Sequence, residues 1–319
     1  MFKVVKTDGV LGVGPQQRAC FDGLEIDFHD RELLTEDALI GACADADALL
    51  VLREPITRKV IQTLDRCQVI SRFGVGLDSI DLEAAAEAGI VVTNVPDSNA
   101  EEVATHALAM MLHLTRRLAQ FDRGVRDQNW DAMSIGAGIR RPGATTVGIV
   151  GLGRIGRLVA QRAAALGFRI VGFDPLLEPE QIAQLGIVSS DLDTVFADAD
   201  VVSLHIPLTA QTQNLVDAQR IARMKPGAIL LNVSRGGIVD EQALAQALVD
   251  GHLGGAGLDA LVDEPPAADH PLLRAPRTLF SPHAAHYSEQ SYAEVRTRAF
   301  ADVAAVLRGD QPRYAVSST

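Results

Sequence analysis

The stretch Thr146-Val-Gly-Ile-Val-Gly151-Leu-Gly153-Arg-Ile-Gly156 constrains the fold of this chain more than any other. An apolar run ends in glycines spaced G-x-G-x-x-G, and an Ala- and Leu-rich helical pattern follows. That order reads as strand, tight turn, helix. Gly151 permits the turn, Gly153 leaves the backbone bare enough for a pyrophosphate to approach, and Gly156 lets the helix pack close to the strand. The free N–H groups at the positive end of the new helix would take the phosphates. A second strand, Arg169–Phe173, is followed by Asp174, 18 positions after Gly156 (174 − 156). A carboxylate there suits the ribose hydroxyls of NAD and repels a 2′-phosphate, so NADH is expected over NADPH.

At 319 residues the chain is long for a single core, so two domains are expected. Its formal charge of −12 argues against a nucleic-acid surface and offers no basic patch to a membrane. The N-terminus, Met1-Phe-Lys-Val-Val-Lys, reads as a strand without the apolar core of a signal peptide. No apolar run is long enough to span a bilayer. Cys20, Cys43 and Cys67 lack metal-binding or redox spacing and read as reduced, packed thiols, which fits a cytoplasmic protein with no metal.

Strands are expected at Phe2–Lys6, Leu24–Phe28, Ala48–Leu52, Gln68–Phe73 and Val91–Val95, with helices such as Thr57–Cys67 and Leu82–Ala88 between them. A long helix is expected from Ala100 to Gln120, with an apolar stripe of Ala104, Ala107, Leu108, Met111, Leu112 and Leu118. A second series of strands follows at Thr146–Val150, Arg169–Phe173, Ile187–Val188, Val201–Leu204, Ala228–Val233, Gly257–Leu261 and Thr278–Phe280. The last helix is placed at Ser288–Arg308, before a short polar tail. Alternation of this kind means parallel strands joined by crossover helices. The expected fold is therefore α/β: two doubly wound parallel-sheet domains, Rossmann-like or flavodoxin-like, with a cleft between them as the ligand site.

Three segments place ionisable groups just after apolar strands. Leu230-Leu-Asn-Val-Ser-Arg235-Gly-Gly ends in an arginine whose donor fork suits a carboxylate, although an arginine exposed on a loop would look the same. Asp263-Glu264-Pro-Pro holds a glutamate before stiff backbone, and taken locally it reads as a solvated acidic turn. In Ser281-Pro-His283-Ala-Ala-His286, His283 is placed by a proline, and alone it reads as structural. Taken together they supply an acid/base pair, a carboxylate anchor and a hydride carrier. Those parts suit reversible hydride transfer between nicotinamide and C2 of a 2-hydroxy or 2-oxo acid.

Over nearly its whole length the chain resembles the D-isomer-specific 2-hydroxyacid dehydrogenases. The carrying motifs are Arg72-Phe-Gly-Val-Gly76-Leu-Asp-Ser-Ile-Asp81, Gly151–Gly156, Asn232-Val-Ser-Arg235-Gly-Gly-Ile-Val-Asp-Glu, Gly257-Leu-Asp259, Asp263-Glu-Pro and Ser281-Pro-His283-Ala-Ala. The resemblance implies that Arg235 holds the substrate carboxylate and carbonyl oxygen. His283 would exchange a proton with that oxygen, and Glu264 would pair with His283 and favour the imidazolium. The amides of the loop Phe73, Gly74, Val75 and Gly76 would also grip the carboxylate. It implies Asp174 on the ribose, Arg154 and Ile155 over the pyrophosphate, and Asp259 on the nicotinamide amide. Ile206, Val233, Ser234 and His286 are expected beside the cofactor as well.

The same resemblance implies a substrate-binding domain of residues 1–97 plus 288–319, a NAD-binding domain of residues 98–287, and a homodimer whose interface includes the Ala100–Gln120 helix. Burial within one subunit would give that helix the same stripe. The segment Pro282-His283-Ala-Ala-His286-Tyr-Ser-Glu is similar to that of the carboxyl-terminal binding protein corepressors, where a tryptophan typically stands in place of His286. With Arg72, which matches an arginine of that subgroup, His286 is expected to favour a small polar substrate. The leading expectation is a NAD-dependent D-2-hydroxyacid dehydrogenase acting as a 2-oxo acid reductase. An NAD(H)-sensing regulator on the same scaffold is the alternative. A chain ending at Thr319, with no added interaction tail or regulatory domain, is read as favouring the enzyme.

Overall fold

Both halves of the chain alternate short apolar strands with helices, and each half builds its own sheet. The computed structural model describes residues 1–316. In chain order the strands are β1 (Phe2–Lys6), β2 (Ile26–Asp30), β3 (Ala48–Val51), β4 (Val69–Arg72), β5 (Val91–Thr93), β6 (Thr146–Val150) and β7 (Arg169–Phe173). They continue with β8 (Val188–Ser189), β9 (Val201–Leu204), β10 (Ile229–Asn232), β11 (Gly255–Leu258), β12 (Thr278–Phe280) and β13 (Ala315–Val316). The chain divides into one compact unit of Met1–Asn99 with Ser288 onward, and a second of Ala100–Tyr287.

In the first unit the strand order is β2-β1-β3-β4-β5-β13, parallel except for β13, which runs antiparallel to β5. The first five follow the flavodoxin-like order, whose switch point lies between β1 and β3. Strand β3 is buried along its full length, because both faces of the sheet are covered. Leu39, Val60 and Ala85 pack on one side. The Glu289–Arg308 helix packs on the other through Val295, Phe300 and Val303. Cys43 and Cys67 are buried here, and burial pushes their thiols up to about 11 and about 12.

The second unit has strand order β12-β11-β10-β9-β6-β7-β8, all parallel. The direction of winding reverses between β6 and β9, so the carboxyl ends of those strands form the switch point where ligands bind in such sheets. The Ala100–Thr115 helix covers one face and packs on β10, β11 and the Arg154–Ala165 helix. Its stripe residues Ala104, Ala107, Leu108 and Met111 belong to the core of this unit, so burial within the subunit accounts for the stripe.

Three expectations are corrected. The helix expected to reach Gln120 ends at Thr115, and a separate helix runs Leu118–Arg126. Arg117 breaks it by adopting a left-handed conformation (φ +53°), with its guanidinium donating to the Ile135 carbonyl at 2.9 Å. Leu118, expected in the stripe, is 52% exposed. Strand β11 is Gly255–Leu258 rather than Gly257–Leu261. A Cβ on Gly255 would stand 3.3 Å from Leu114 and one on Gly257 3.2 Å from Met110, so the glycines admit the covering helix. The tail is not wholly irregular, because Ala315–Val316 pairs with Val92 and Thr93. The remaining tail residues, 317–319, lie outside the described residues.

Candidate active site

The glycine turn connects β6 to the Arg154–Ala165 helix, and each glycine is required for a different reason. Gly151 has φ +93°, and a Cβ there would lie 2.5 Å from the His205 carbonyl oxygen and 2.7 Å from Ile206 Cγ2. A Cβ on Gly156 would run into the Gly151 carbonyl, so the helix rests directly on the turn. Gly153 is the N-cap, and a Cβ on it would meet nothing within 4 Å. The space in front of the helix N-terminus is therefore open, as a bound pyrophosphate requires. Arg154, the first helical residue, is exposed beside it, while Ile155 packs partly against the core. At the end of β7 the Asp174 carboxylate accepts from Leu152 N at 2.7 Å and Leu176 N at 2.9 Å. That fixes the acid next to the turn and leaves further lone pairs for hydroxyl donors.

On the other side of the switch point, β9 ends at Leu204 and leads to His205 and Ile206. His205 bonds Ser203 Oγ through Nε2 at 2.8 Å. Burial of the ring pushes its pKa down to about 4, so it is neutral near pH 7. Ser234 reaches across from the next strand and donates to the Leu204 carbonyl at 2.7 Å. Val233 is buried between them in sequence, on the run from β10 into the Arg235 turn.

The acid/base candidates stand at the ends of three neighbouring strands. The register pairs Asn232 of β10 with Leu258 of β11, and Leu258 with Phe280 of β12. Arg235, Asp259 and His283 each follow within three residues of those ends. The Asn232 side chain clamps the Arg235 turn, accepting from Ser234 N at 3.0 Å and donating to Arg235 O at 2.7 Å. The Arg235 guanidinium donates to Ser234 O at 2.8 Å. Gly236 packs backbone to backbone against Leu261 and Val262, leaving no room for a side chain. The turn carrying Arg235 is thereby seated on the loop that leads to Glu264.

His283 and Glu264 form an ion pair. His283 Nδ1 lies 2.9 Å from both Glu264 carboxylate oxygens, with the side chains 33% and 28% exposed. Nδ1–H donates to the carboxylate, which leaves Nε2 as the ring's other hydrogen-bonding atom. His283 holds an uncommon backbone conformation for a side-chain-bearing residue, φ +51°. His286 lies close by, its ring centroid 5.9 Å from that of His283 in an edge-on arrangement. Asp259 is 3% exposed, and its carboxylate accepts from Ser281 Oγ, from Ala284 N at 2.8 Å and from Ala285 N at 3.0 Å. Here it anchors the His283 turn, a contact that spacing alone did not suggest.

The first unit presents its own loop at the end of β4. Gly74 has φ +129° and lies under the Arg72 guanidinium, whose Nε donates to Leu52 O at 3.2 Å. Phe73 is buried beneath the loop. Asn94 donates to Val75 O at 2.7 Å and Val95 N to Gly74 O at 2.9 Å, which fixes the segment ahead of Gly76.

Glu241, Ser281 and His106 are further residues of the second-unit site that sequence reasoning did not single out. Glu241 accepts from Val262 N at 2.8 Å and pairs with His270 at 3.1 Å, holding the Glu264 loop. Only its position in the Arg235-Gly-Gly-Ile-Val-Asp-Glu motif pointed to it.

The family model for "D-isomer specific 2-hydroxyacid dehydrogenase, NAD binding domain" matches residues 108–285. The chain belongs to the D-isomer specific 2-hydroxyacid dehydrogenase family. Among curated members, D-3-phosphoglycerate dehydrogenase of Mycobacterium tuberculosis H37Rv is 42% identical over 85% of this chain and 50% of its own length. Glyoxylate reductase of Korarchaeum cryptofilum is 35% identical over 89% of this chain and 87% of its own. The chain thus spans about half the length of the first curated relatives it matches. Among solved structures, D-lactate dehydrogenase from Aquifex aeolicus complexed with NAD and lactic acid superposes with a TM-score of 0.87 at 28% identity, covering 97% and 96% of the two chains. This family member therefore carries a NAD-binding Rossmann domain in its second unit, and the glycine turn fits that cofactor. No helix among the described residues is long and apolar enough to cross a membrane.

Proposed function

We propose that this protein is a NAD-dependent D-2-hydroxyacid dehydrogenase that reduces a small, polar 2-oxo acid. The observation that carries the reading is the His283–Glu264 pair, with Nδ1 2.9 Å from both carboxylate oxygens, on strand ends adjoining the Arg235 turn. NAD, when bound, supplies a hydride acceptor and donor at nicotinamide. Arg235 binds the substrate carboxylate with one prong and polarises the C2 carbonyl with another. His283 Nε2 donates a proton to the carbonyl oxygen as it gains charge and takes it back in the oxidative direction. Glu264 keeps the ring in one tautomer and one orientation, and balances the charge of the imidazolium. The loop Phe73–Gly76 contributes main-chain donors to the substrate carboxylate.

Asp174 disfavours a 2′-phosphate, so NADH is the preferred reductant. His286, standing where the corepressor subgroup typically has a tryptophan, would make an aromatic wall polar, and with Arg72 this favours substrates with a second hydroxyl or anionic group. A homodimer is the assembly we propose. Its support is the exposed apolar side chains of one segment: Leu118 (52%), Val125 (48%), Trp130 (83%) and Met133 (86%).

The test is turnover of pyruvate, hydroxypyruvate, glyoxylate and longer apolar 2-oxo acids with NADH and NADPH in parallel, followed by nicotinamide absorbance. Wild type should prefer NADH and the small polar acids, and His286→Trp should shift preference toward apolar ones. Tight NADH binding with no turnover of any acid would instead support an NAD-sensing regulator. An unchanged preference in His286→Trp would remove the specificity assignment.

A further inference from the structure

A partly buried polar chain runs from the His283 turn through Asp259 and Ser281 to His106 on a helix. Asp259, at the end of β11, is the centre of it. Its carbonyl accepts from His283 N at 2.9 Å, and its carboxylate accepts from Ala284 N at 2.8 Å and Ala285 N at 3.0 Å. Three successive amides are thus pinned to one residue. They are the amides that define the left-handed turn at His283 (φ +51°), a conformation that side chains resist and that surrounding contacts must hold.

The carboxylate is itself held. Ser281 Oγ donates its single proton to Asp259 Oδ1. His106 Nε2 lies 2.8 Å from that same Ser281 oxygen and 3.8 Å from Asp259 Oδ1. Because the serine proton is committed to the aspartate, its oxygen must accept, so His106 carries hydrogen on Nε2 and donates. The Asp259 side chain is 2% exposed and that of His106 is 29% exposed. An anion so deeply buried needs all of these donors. His106 stands on the Ala100–Thr115 helix, which itself packs on β10 and β11. The chain therefore links the helix covering the sheet to the backbone of the acid/base residue, 177 positions away in sequence (283 − 106).

We propose that His106 and Ser281 are positioning residues acting through Asp259. They hold the His283 turn so that Nδ1 meets Glu264 while Nε2 is presented to the substrate. The proposal rests on the reading of His283 as the proton donor. It assigns to His106 and Ser281 a role in orientation alone, with no contact to substrate or cofactor.

The experiment compares Ser281→Ala with Ser281→Thr, and His106→Leu with His106→Gln, in the full-length protein. Threonine keeps the hydroxyl, and a glutamine amide can still donate to it. Ser281→Ala and His106→Leu should lower kcat by about 10- to 100-fold, the scale of a small misplacement of a catalytic group. The KM for the 2-oxo acid should stay within about threefold, because neither residue binds it. The conservative variants should recover most of kcat. Hydrogen exchange, read without turnover, should speed up at the Ala284 and Ala285 amides in Ser281→Ala and His106→Leu only. Unchanged exchange in both variants would overturn the relay, as would equal losses of kcat in conservative and disruptive variants. Faster exchange with unchanged kcat, together with wild-type kcat in His283→Ala, would leave the relay standing and refute the reading of His283 as the acid.

Discussion

Two glycines of the dinucleotide turn should respond to the same substitution in different ways. A methyl group at Gly156 would collide with the Gly151 carbonyl oxygen and stand 3.3 Å from Ile149 Cγ2. Neither neighbour is a flexible side-chain tip, so the helix must back away from the strand. Overpacking of this kind costs about 1–3 kcal/mol. At roughly 2–4 °C per kcal/mol for a unit of this size, Gly156→Ala should melt about 2–12 °C below wild type in the absence of cofactor. At Gly153 the added methyl meets nothing within 4 Å, and φ of −72° suits any residue. Gly153→Ala should lose roughly half a kcal/mol, because alanine is a slightly poorer N-cap than glycine. Its methyl would, however, stand where the pyrophosphate approaches. The same overpacking range of about 1–3 kcal/mol then falls on binding, which is roughly a 5- to 150-fold rise in the Kd for NADH. Thermal melts without ligand and fluorescence titration with NADH separate the effects. Wild-type NADH affinity in Gly153→Ala would refute the placement of the pyrophosphate. A wild-type melting temperature in Gly156→Ala would refute the close packing of helix on turn.

Removal of Asp174 by Ala should raise kcat/KM with NADPH relative to NADH, and a ratio unmoved from wild type would contradict its ribose role. His205 is held neutral, with a pKa near 4 against about 6.5 in the unfolded chain, so unfolding takes up a proton at mildly acid pH. Its contribution to stability is complete above about pH 6.5 and is lost as pH falls toward 4, with a slope of at most about 1.4 kcal/mol per pH unit. Urea unfolding at pH 7 and pH 5 should therefore show a smaller acid loss in His205→Gln than in wild type, and equal losses would count against it. Arg235→Lys should lower kcat/KM steeply although the charge is kept, since an ammonium cannot make the two-pronged contact; steady-state kinetics near wild type would argue against that contact. Trp130→Ser combined with Met133→Ser should shift sedimentation from dimer toward monomer, and an unchanged profile would place self-association elsewhere.

Much of the fold could be read because it rests on local rules. Strands β6, β7 and β9 lie where apolar runs end in glycine, Asp174 and His205, and candidate site residues follow the strand ends. Where an element depends on a distant neighbour, reading the sequence misplaces it. Gly255-Ala-Gly-Leu has poor strand propensity, yet it forms β11 because Leu114 and Met110 press against the glycines. Periodicity alone carries the helix that starts at Ala100 through Arg117, whose left-handed turn is stabilised by a bond to Ile135, 18 residues on. Ala315–Val316 becomes a strand only because β5 offers a free edge. In the site, the identities of Arg235, Glu264 and His283 were visible as motifs. The bonds from His106 to Ser281 and from Ser281 to Asp259 were not, because His106 and Ser281, 175 positions apart, carry no joint signal in one sequence.

The most direct measurement is the single-turnover rate of 2-oxo acid reduction by wild type and His283→Ala, each saturated with NADH. Loss of the proton donor should slow the step by about 10²–10⁴-fold while the Kd for NADH is retained. Equal rates in the two proteins would contradict the assignment of His283 as the acid, and with it the chemistry built on its pairing with Glu264.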